Sequence, residues 1–290
     1  MIYLESFRLP DWGREEAFLG NDLKTKRTVY SSYYPFGVFR DRDLPEFVME
    51  PITILYGGNG SGKSTILNLM ADKLAIPRKA AYNRSDFFPD YVSLCHYEMA
   101  GYPAESRIVT SDDVFNYLLQ IRHLNEDLDD ERQKLFEEYN QAKYRSKGFQ
   151  MRSLDDYDKL KSVVDARRKT GSGFVKERLS QNIREHSNGE SAFKYFTQEV
   201  KENALYLLDE PENSMAPALQ LELKQFIEDS ARFFGCQFVI ATHSPFLLAM
   251  EQAVIYDLDA DPVRERKWTE LENVRTYYQF FKEHEEELKQ

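Results

Sequence analysis

Nine residues, GGNGSGKST at 57–65, constrain this chain more than any other stretch. Four glycines in six positions free the backbone to curl, so that successive N–H groups point at one spot. An apolar run, MEPITILY (49–56), leads in as a strand. KSTILNLMADKL leads out as a helix, with Ile66, Met70 and Leu74 on one face. Strand, glycine loop and helix in that order make a cradle for an anion, because the helix adds its positive N-terminal end. The spacing of Gly57 and Gly62-Lys63-Ser64 is that of a phosphate-binding loop.

Such a loop predicts ATP as ligand. Asn59, Gly60, Ser61, Gly62 and Thr65 would line the phosphates, Lys63 would bridge the β- and γ-phosphates, and Ser64 would ligate Mg2+. ALYLLDEP supplies a second half: four apolar residues precede Asp209, which puts its carboxylate at the carboxyl end of a buried strand. Asp209 is suited to Mg2+. Glu210, expected to face the other way because neighbouring strand residues alternate, is suited to polarise an attacking water. CQFVIAT predicts a further core strand ending at His243, a candidate contact for the γ-phosphate beside the Asp209 strand.

Around these segments helices and strands alternate, which predicts a mostly parallel α/β sheet flanked by helices. IYLESFRL and YVSLCHY (91–97) read as further strands, AVIYDLD as another, and helices are expected over 191–202, 216–233 and from about 268. From Val114 the pattern changes to near-heptad spacing: Val114, Leu118, Ile121, Leu124 or Asn125, Leu128, Leu135 and Tyr139. SKGFQMRS breaks it, LDDYDKLKSVVDARRK resumes it, and KTGSGF (169–174) reads as a hinge. One domain over 1–290 with an inserted helical arm over 113–186 is therefore expected.

Composition narrows the partners. The net charge of −11 argues against indiscriminate coating of nucleic acid, yet residues 143–184 carry twelve Lys/Arg against five Asp/Glu. No run of apolar residues is long enough to span a bilayer, and MIYLESFRLPDWGREE lacks the pattern of a signal peptide. Cys95 and Cys236 show no metal-type pairing. A cytoplasmic protein without a membrane partner is the expectation.

A second turn, SNGES at 187–191, also looks built for an anion. In order, GGNGSGKST, SNGES, YLLDEPENSMAP and QFVIATHSPFLLA resemble the ATP-binding-cassette superfamily. Within it they look like the SMC/RecF-like branch and its small bacterial AAA-family ATPases. The likeness is dense over 50–72 and 186–258, weak over 1–49 and negligible in the arm.

The resemblance implies an ABC-type P-loop NTPase head that pairs head to tail in an ATP-dependent homodimer. Ser187, Gly189 and Glu190 of one copy would then close over ATP held by Lys63 of the partner subunit. An ordinary helix cap, with Ser187 satisfying the Glu190 N–H, is the competing account. Glu190 stands where transporters carry glutamine, Asn213 where many cassettes carry aspartate, and no Gln-loop is evident. Ser111-Asp112 is a candidate for that loop or an ordinary N-cap, and YSSYYPF (30–36) either stacks on adenine or forms a buried aromatic turn. The arm is short and has no cysteine hook. No nuclease, TOPRIM or HNH site is present.

The expected function is Mg-dependent ATP hydrolysis driving a nucleic-acid-associated process, in DNA repair or anti-phage defence. The alternative is a nucleotide-gated switch controlling a separately encoded effector protein. A transporter's nucleotide-binding subunit fits less well.

Overall fold

The computed structural model describes the chain except for residues 22–24, 26–28, 31, 146–156, 180–186 and 290. The elements run β1 (Leu4–Arg8), α1 (Trp12–Asn21), β2 (Phe47–Val48), β3 (Ile52–Tyr56), α2 (Lys63–Lys73), α3 (Phe88–Leu94), β4 (His96–Met99) and β5 (Glu105–Thr110). Next come α4 (Ser111–Asn140), a π-helical turn (Gln141–Arg145), α5 (Tyr157–Arg168), α6 (Gly171–Lys176) and α7 (Asn188–Glu199). The last part is β6 (Ala204–Asp209), α8 (Pro217–Phe233), β7 (Gln237–Ala241), α9 (Pro245–Leu248), β8 (Val254–Asp257), β9 (Arg264–Glu265), α10 (Glu272–Glu283) and α11 (Glu285–Leu288).

Contacts divide the chain into two compact units, residues 1–114 with 187–290, and residues 115–186. In the first, a six-stranded sheet has the order β5-β6-β7-β3-β8-β9. Its first five strands are parallel, and β9 alone is antiparallel. Every residue of β3 and β7 is buried, as parallel strands covered on both faces require. A separate three-stranded antiparallel sheet, β2-β1-β4, packs Leu4, Phe7 and Phe47 into the same core. Gln237 ties the two sheets: its side-chain oxygen accepts from the N–H groups of Tyr3 and Leu4, and its amide donates to Leu4 O.

Most expected elements form. YVSLCHY is a correction, since residues 88–94 are helix α3 and only then does β4 begin. Phe87, Phe88, Tyr91 and Cys95 are all buried and recur at helical spacing, and Pro89 sits in the first turn, where its missing N–H costs nothing. Strand β5 had no strong period to announce it, because only Ile108 and Val109 are buried.

In the second unit Tyr139, Ala142, Val163, Ala166, Phe174 and Val175 form a small core. KTGSGF is not a hinge. Thr170 caps α6 by accepting from the Gly173 N–H at 3.2 Å, and Phe174 is buried in that core. On α4 the apolar stripe passes through Asn125, which is buried, and leaves Leu124 exposed. SKGFQMRS, residues 146–153, lies outside the described residues. Ser111-Asp112 do not cap α4. Thr110 does, its hydroxyl accepting from the Asp113 N–H while an Asp113 carboxylate oxygen accepts from the Thr110 N–H at 2.8 Å. The reciprocal pair is a capping box, shifted one residue earlier than expected.

Candidate active site

The parallel register brings three chain segments to one edge. Asp209, last in β6, stands opposite Ala241, last in β7, and β7 lies beside β3, which feeds the glycine loop. The strand that ends two residues before His243 is thus the neighbour of the Asp209 strand, and it lies between that strand and β3.

Two glycines of the loop are required by what surrounds them. Gly62 has φ +96°, and a Cβ there would lie 2.4 Å from the Phe39 ring. A Cβ on Gly57 would lie 2.6 Å from Ser61 Oγ, a buried hydroxyl without a partner among the described residues. Gly62 precedes α2 with no side-chain cap, which leaves the first-turn N–H groups to an anion. Asn59, Gly60 and Ser61 form the tip between them, and Gly60 also has positive φ. Lys63 is buried and turns back onto its own loop, donating to Gly57 O at 2.7 Å and Gly58 O at 3.1 Å. Its charge is therefore held at the loop's inner wall, where a phosphate would meet it.

Ser64 Oγ donates to Asp209 Oδ1 at 3.0 Å, joining residues 145 positions apart. A hydroxyl and a carboxylate oxygen in contact form the hard donor pair that Mg2+ takes, so these two residues fit the metal the loop implies. Burial pushes the Asp209 carboxyl up to about 6, the Ser64 hydrogen bond and Lys63 opposing the rise and Glu210 adding to it.

Glu210 does not diverge from Asp209 through strand alternation. It has already left the strand, with φ +48°, a left-handed conformation that costs a non-glycine residue about 1–2 kcal/mol. In that pose one carboxylate oxygen lies 3.6 Å from His243 Nδ1 and the other accepts from Asn213 Nδ2 at 3.0 Å. Asn213, in the place where an aspartate is common, thus orients the candidate base.

Further residues frame the site, and of these Glu212, Asp259 and Arg42 have no role assigned from the sequence. Glu212 is buried; its Oε1 accepts from Thr242 Oγ1 at 2.5 Å and from the His243 N–H at 3.3 Å, and burial pushes its carboxyl up. Asp259, after β8, accepts from the Gly58 N–H at 2.6 Å. Arg42 donates to Ser61 O, and Tyr34 and Thr65 join hydroxyls at 3.0 Å. Tyr34 also lies 6.0 Å from Phe88 and Tyr33 5.0 Å from Phe87 between ring centroids, so the described residues of YSSYYPF form an aromatic turn. No spacing rule points to Asp259 or Glu212. Only the acidic run DLDAD and the doubled Glu of DEPE hint at them.

Ser187 lies at the start of α7, away from these groups in sequence, and makes a full capping box with Glu190. Its hydroxyl accepts from the Glu190 N–H at 3.3 Å, and a Glu190 carboxylate oxygen accepts from the Ser187 N–H at 3.0 Å. Gly189 is required by packing: a Cβ would lie 2.8 Å from Ser214 O, in the loop that follows Glu210. The turn is therefore an ordinary cap in its own chain and packs closely against the loop that follows Glu210.

Residues 181–249, roughly a quarter of the chain, match the family described as "AAA domain, putative AbiEii toxin, Type IV TA system". That segment carries the α7 turn, the Asp209-Glu210 pair and His243. The glycine loop that follows β3 and the parallel strand order give the chain the architecture of a P-loop α/β fold. Two solved structures are similar to the chain at low identity. One is an inward-facing ABC transporter of metal-chelate type (18% identity, 81% of this chain and 80% of that one, TM-score 0.36). The other is the Smc head domain with an extended coiled coil bound to the C-terminal domain of ScpA, from Pyrococcus furiosus (13%, 98% and 99%, TM-score 0.42). No curated protein matches the chain. Among the described residues no helix is long and apolar enough to cross a membrane.

Proposed function

We propose that the chain binds Mg-ATP and hydrolyses it at a site completed by a second copy. The observation that supports this best is the Ser64–Asp209 hydrogen bond, which binds the glycine loop to the strand end where Glu210 and His243 meet. In this reading the loop N–H groups and Lys63 hold the β- and γ-phosphates. Magnesium held by Ser64 and Asp209 would neutralise phosphate charge. Glu210, steadied by Asn213, orients the attacking water and accepts its proton, while His243 faces the γ-phosphate. The carboxylates crowded here make the site unfavourable for triphosphate without a cation.

The Ser187 turn has no work at its own chain's loop in this scheme. Its exposed hydroxyl and the N-terminal end of the twelve-residue helix α7 suit the γ-phosphate of a partner copy. A helix end of this kind contributes only about 0.3–1 kcal/mol, so the nucleotide must bridge the two halves. Ser187→Arg is expected to bind ATP as tightly as the unmodified chain and to lose hydrolysis by at least about 10²-fold. Equilibrium binding and phosphate release measured side by side decide it: normal hydrolysis removes the two-copy site. The lost cap costs about 1 kcal/mol, too little to unfold the head.

The cycle serves, in this reading, a nucleic-acid-associated process such as repair or anti-phage defence, on the strength of the basic segment 143–184. Duplex DNA should then raise the ATPase rate several-fold, with a stimulation that falls steeply between about 50 and 200 mM salt. A second reading, control of an effector protein, is favoured by α10. Tyr277, Tyr278, Phe280 and Phe281 are each about half exposed, whereas Leu247 and Leu248 are core. Several basic residues of the arm are already engaged: Lys169 with Glu177, and Arg178 with Asp165 and over the Phe174 ring. A rate indifferent to DNA and salt would leave the effector reading in place.

A further inference from the structure

His243 faces Glu210, yet little packing holds its ring: the side chain is half exposed, at 50%. An imidazole that free is placed mainly by its own peptide, and that peptide is gripped from both sides. On the N–H side, Glu212 Oε1 accepts from His243 and from Thr242 Oγ1. On the carbonyl side, Asn273 Nδ2 donates to His243 O at 2.6 Å.

Asn273 also reaches the other half of the site. Its backbone N–H, one of the donors a helix start leaves open, goes to the Tyr56 hydroxyl at 3.3 Å. Tyr56 is the last residue of β3, directly before Gly57. The first turn of α10, anchored by buried Leu271 and Val274, therefore touches both the strand that carries the glycine loop and the loop that carries His243.

Both grips keep an uncompensated atom. Glu212 Oε2 and Asn273 Oδ1 are buried and unpartnered among the described residues. Leaving such an atom unpaired is unfavourable, and an apolar residue of similar shape would avoid that. The other polar atoms of these two side chains, Glu212 Oε1 and Asn273 Nδ2, are the ones that meet the His243 peptide.

We propose that Glu212 and Asn273 are positioning residues that clamp the His243 peptide, and that Asn273 makes helix α10 part of the catalytic centre. The inference rests on the ATPase reading. Displacing a catalytic group by about 1 Å costs on the order of 10²-fold in rate, so loss of one grip should appear in kcat and not in nucleotide affinity.

The test uses the full chain with Asn273→Ala, Asn273→Asp, Glu212→Ala and Glu212→Gln. Asn273→Asp keeps the shape but loses the donor; Glu212→Gln keeps the acceptor at Oε1. Asn273→Ala and Asn273→Asp are both expected to lower kcat by about 10- to 100-fold, with KM for ATP within about threefold. Glu212→Gln should retain most of the rate that Glu212→Ala loses. Thermal unfolding of each variant identifies any that are not folded, and those are set aside in favour of the conservative partner. The His243 ring resonance, assigned by its loss in His243→Ala, should shift in Asn273→Asp with no nucleotide present. A purely structural role would lower the melting temperature while leaving kcat per folded molecule and that resonance unchanged, and this result overturns the clamp. If the unmodified chain and Glu210→Gln are equally inactive towards ATP, the ATPase reading fails instead, and the resonance alone then decides the clamp.

Discussion

Glu210→Gln is expected to cut ATP turnover by roughly 10²–10⁴-fold while ATP still binds, and to accumulate a nucleotide-bound dimer. Glutamine keeps the size of the side chain and its carbonyl can still accept from Asn213 Nδ2, which now meets one Glu210 oxygen at 3.0 Å. What it loses is the basicity needed to take a proton from water. Binding groups are untouched: Lys63, Ser64 and Asp209 lie on other elements. Light scattering with and without Mg-ATP reads the outcome as a mass that doubles only with nucleotide. A variant that stays monomeric when saturated with Mg-ATP would sink the shared site, and a variant that hydrolyses normally would remove Glu210 as the base.

Asp209→Asn should do the opposite to stability and activity. The Asp209 carboxyl, raised from 3.8 to about 6, binds a proton more tightly in the folded chain than in the unfolded one. Stability due to this group therefore falls as pH climbs from about 4 to about 6 and stays low above that. The gap corresponds to at most about 3 kcal/mol at neutral pH, less whatever solvent screens at this partly exposed site. Asparagine carries no charge and can still accept from Ser64 Oγ. Without nucleotide, Asp209→Asn should melt several degrees above the unmodified chain at pH 7.5 and level with it near pH 4. Mg-dependent turnover should be lost at the same time. Equal melting temperatures at pH 7.5 would show that burial does not penalise this carboxylate.

These two expectations rest on residues that the sequence alone could nominate, and the reason is distance along the chain. The glycine loop, the helix after it and the Asp209 strand are each set by fewer than a dozen consecutive residues. So is the Ser187–Glu190 capping box, which is a three-residue relation. Helix α3 reads as a strand from Tyr91, Val92 and Leu94 alone, and only the count that includes Phe87 and Phe88 shows its helical period. The α4 cap was misplaced by one residue because Thr110, Ser111 and Asp112 are all good caps, and strand β5 decides which is used.

By itself the sequence determined the order of the parts: a phosphate loop, a capped turn, an acidic strand end and a histidine after a strand. Tertiary structure decided how they face one another. Ser64 meets Asp209 across 145 positions and Asn273 meets His243 across 30, contacts made only because β3, β7 and β6 lie side by side. Local patterns follow from backbone sterics and are written in neighbouring residues. Hydrogen bonds between remote side chains arise only once buried strands have chosen their neighbours, and no short spacing encodes that choice.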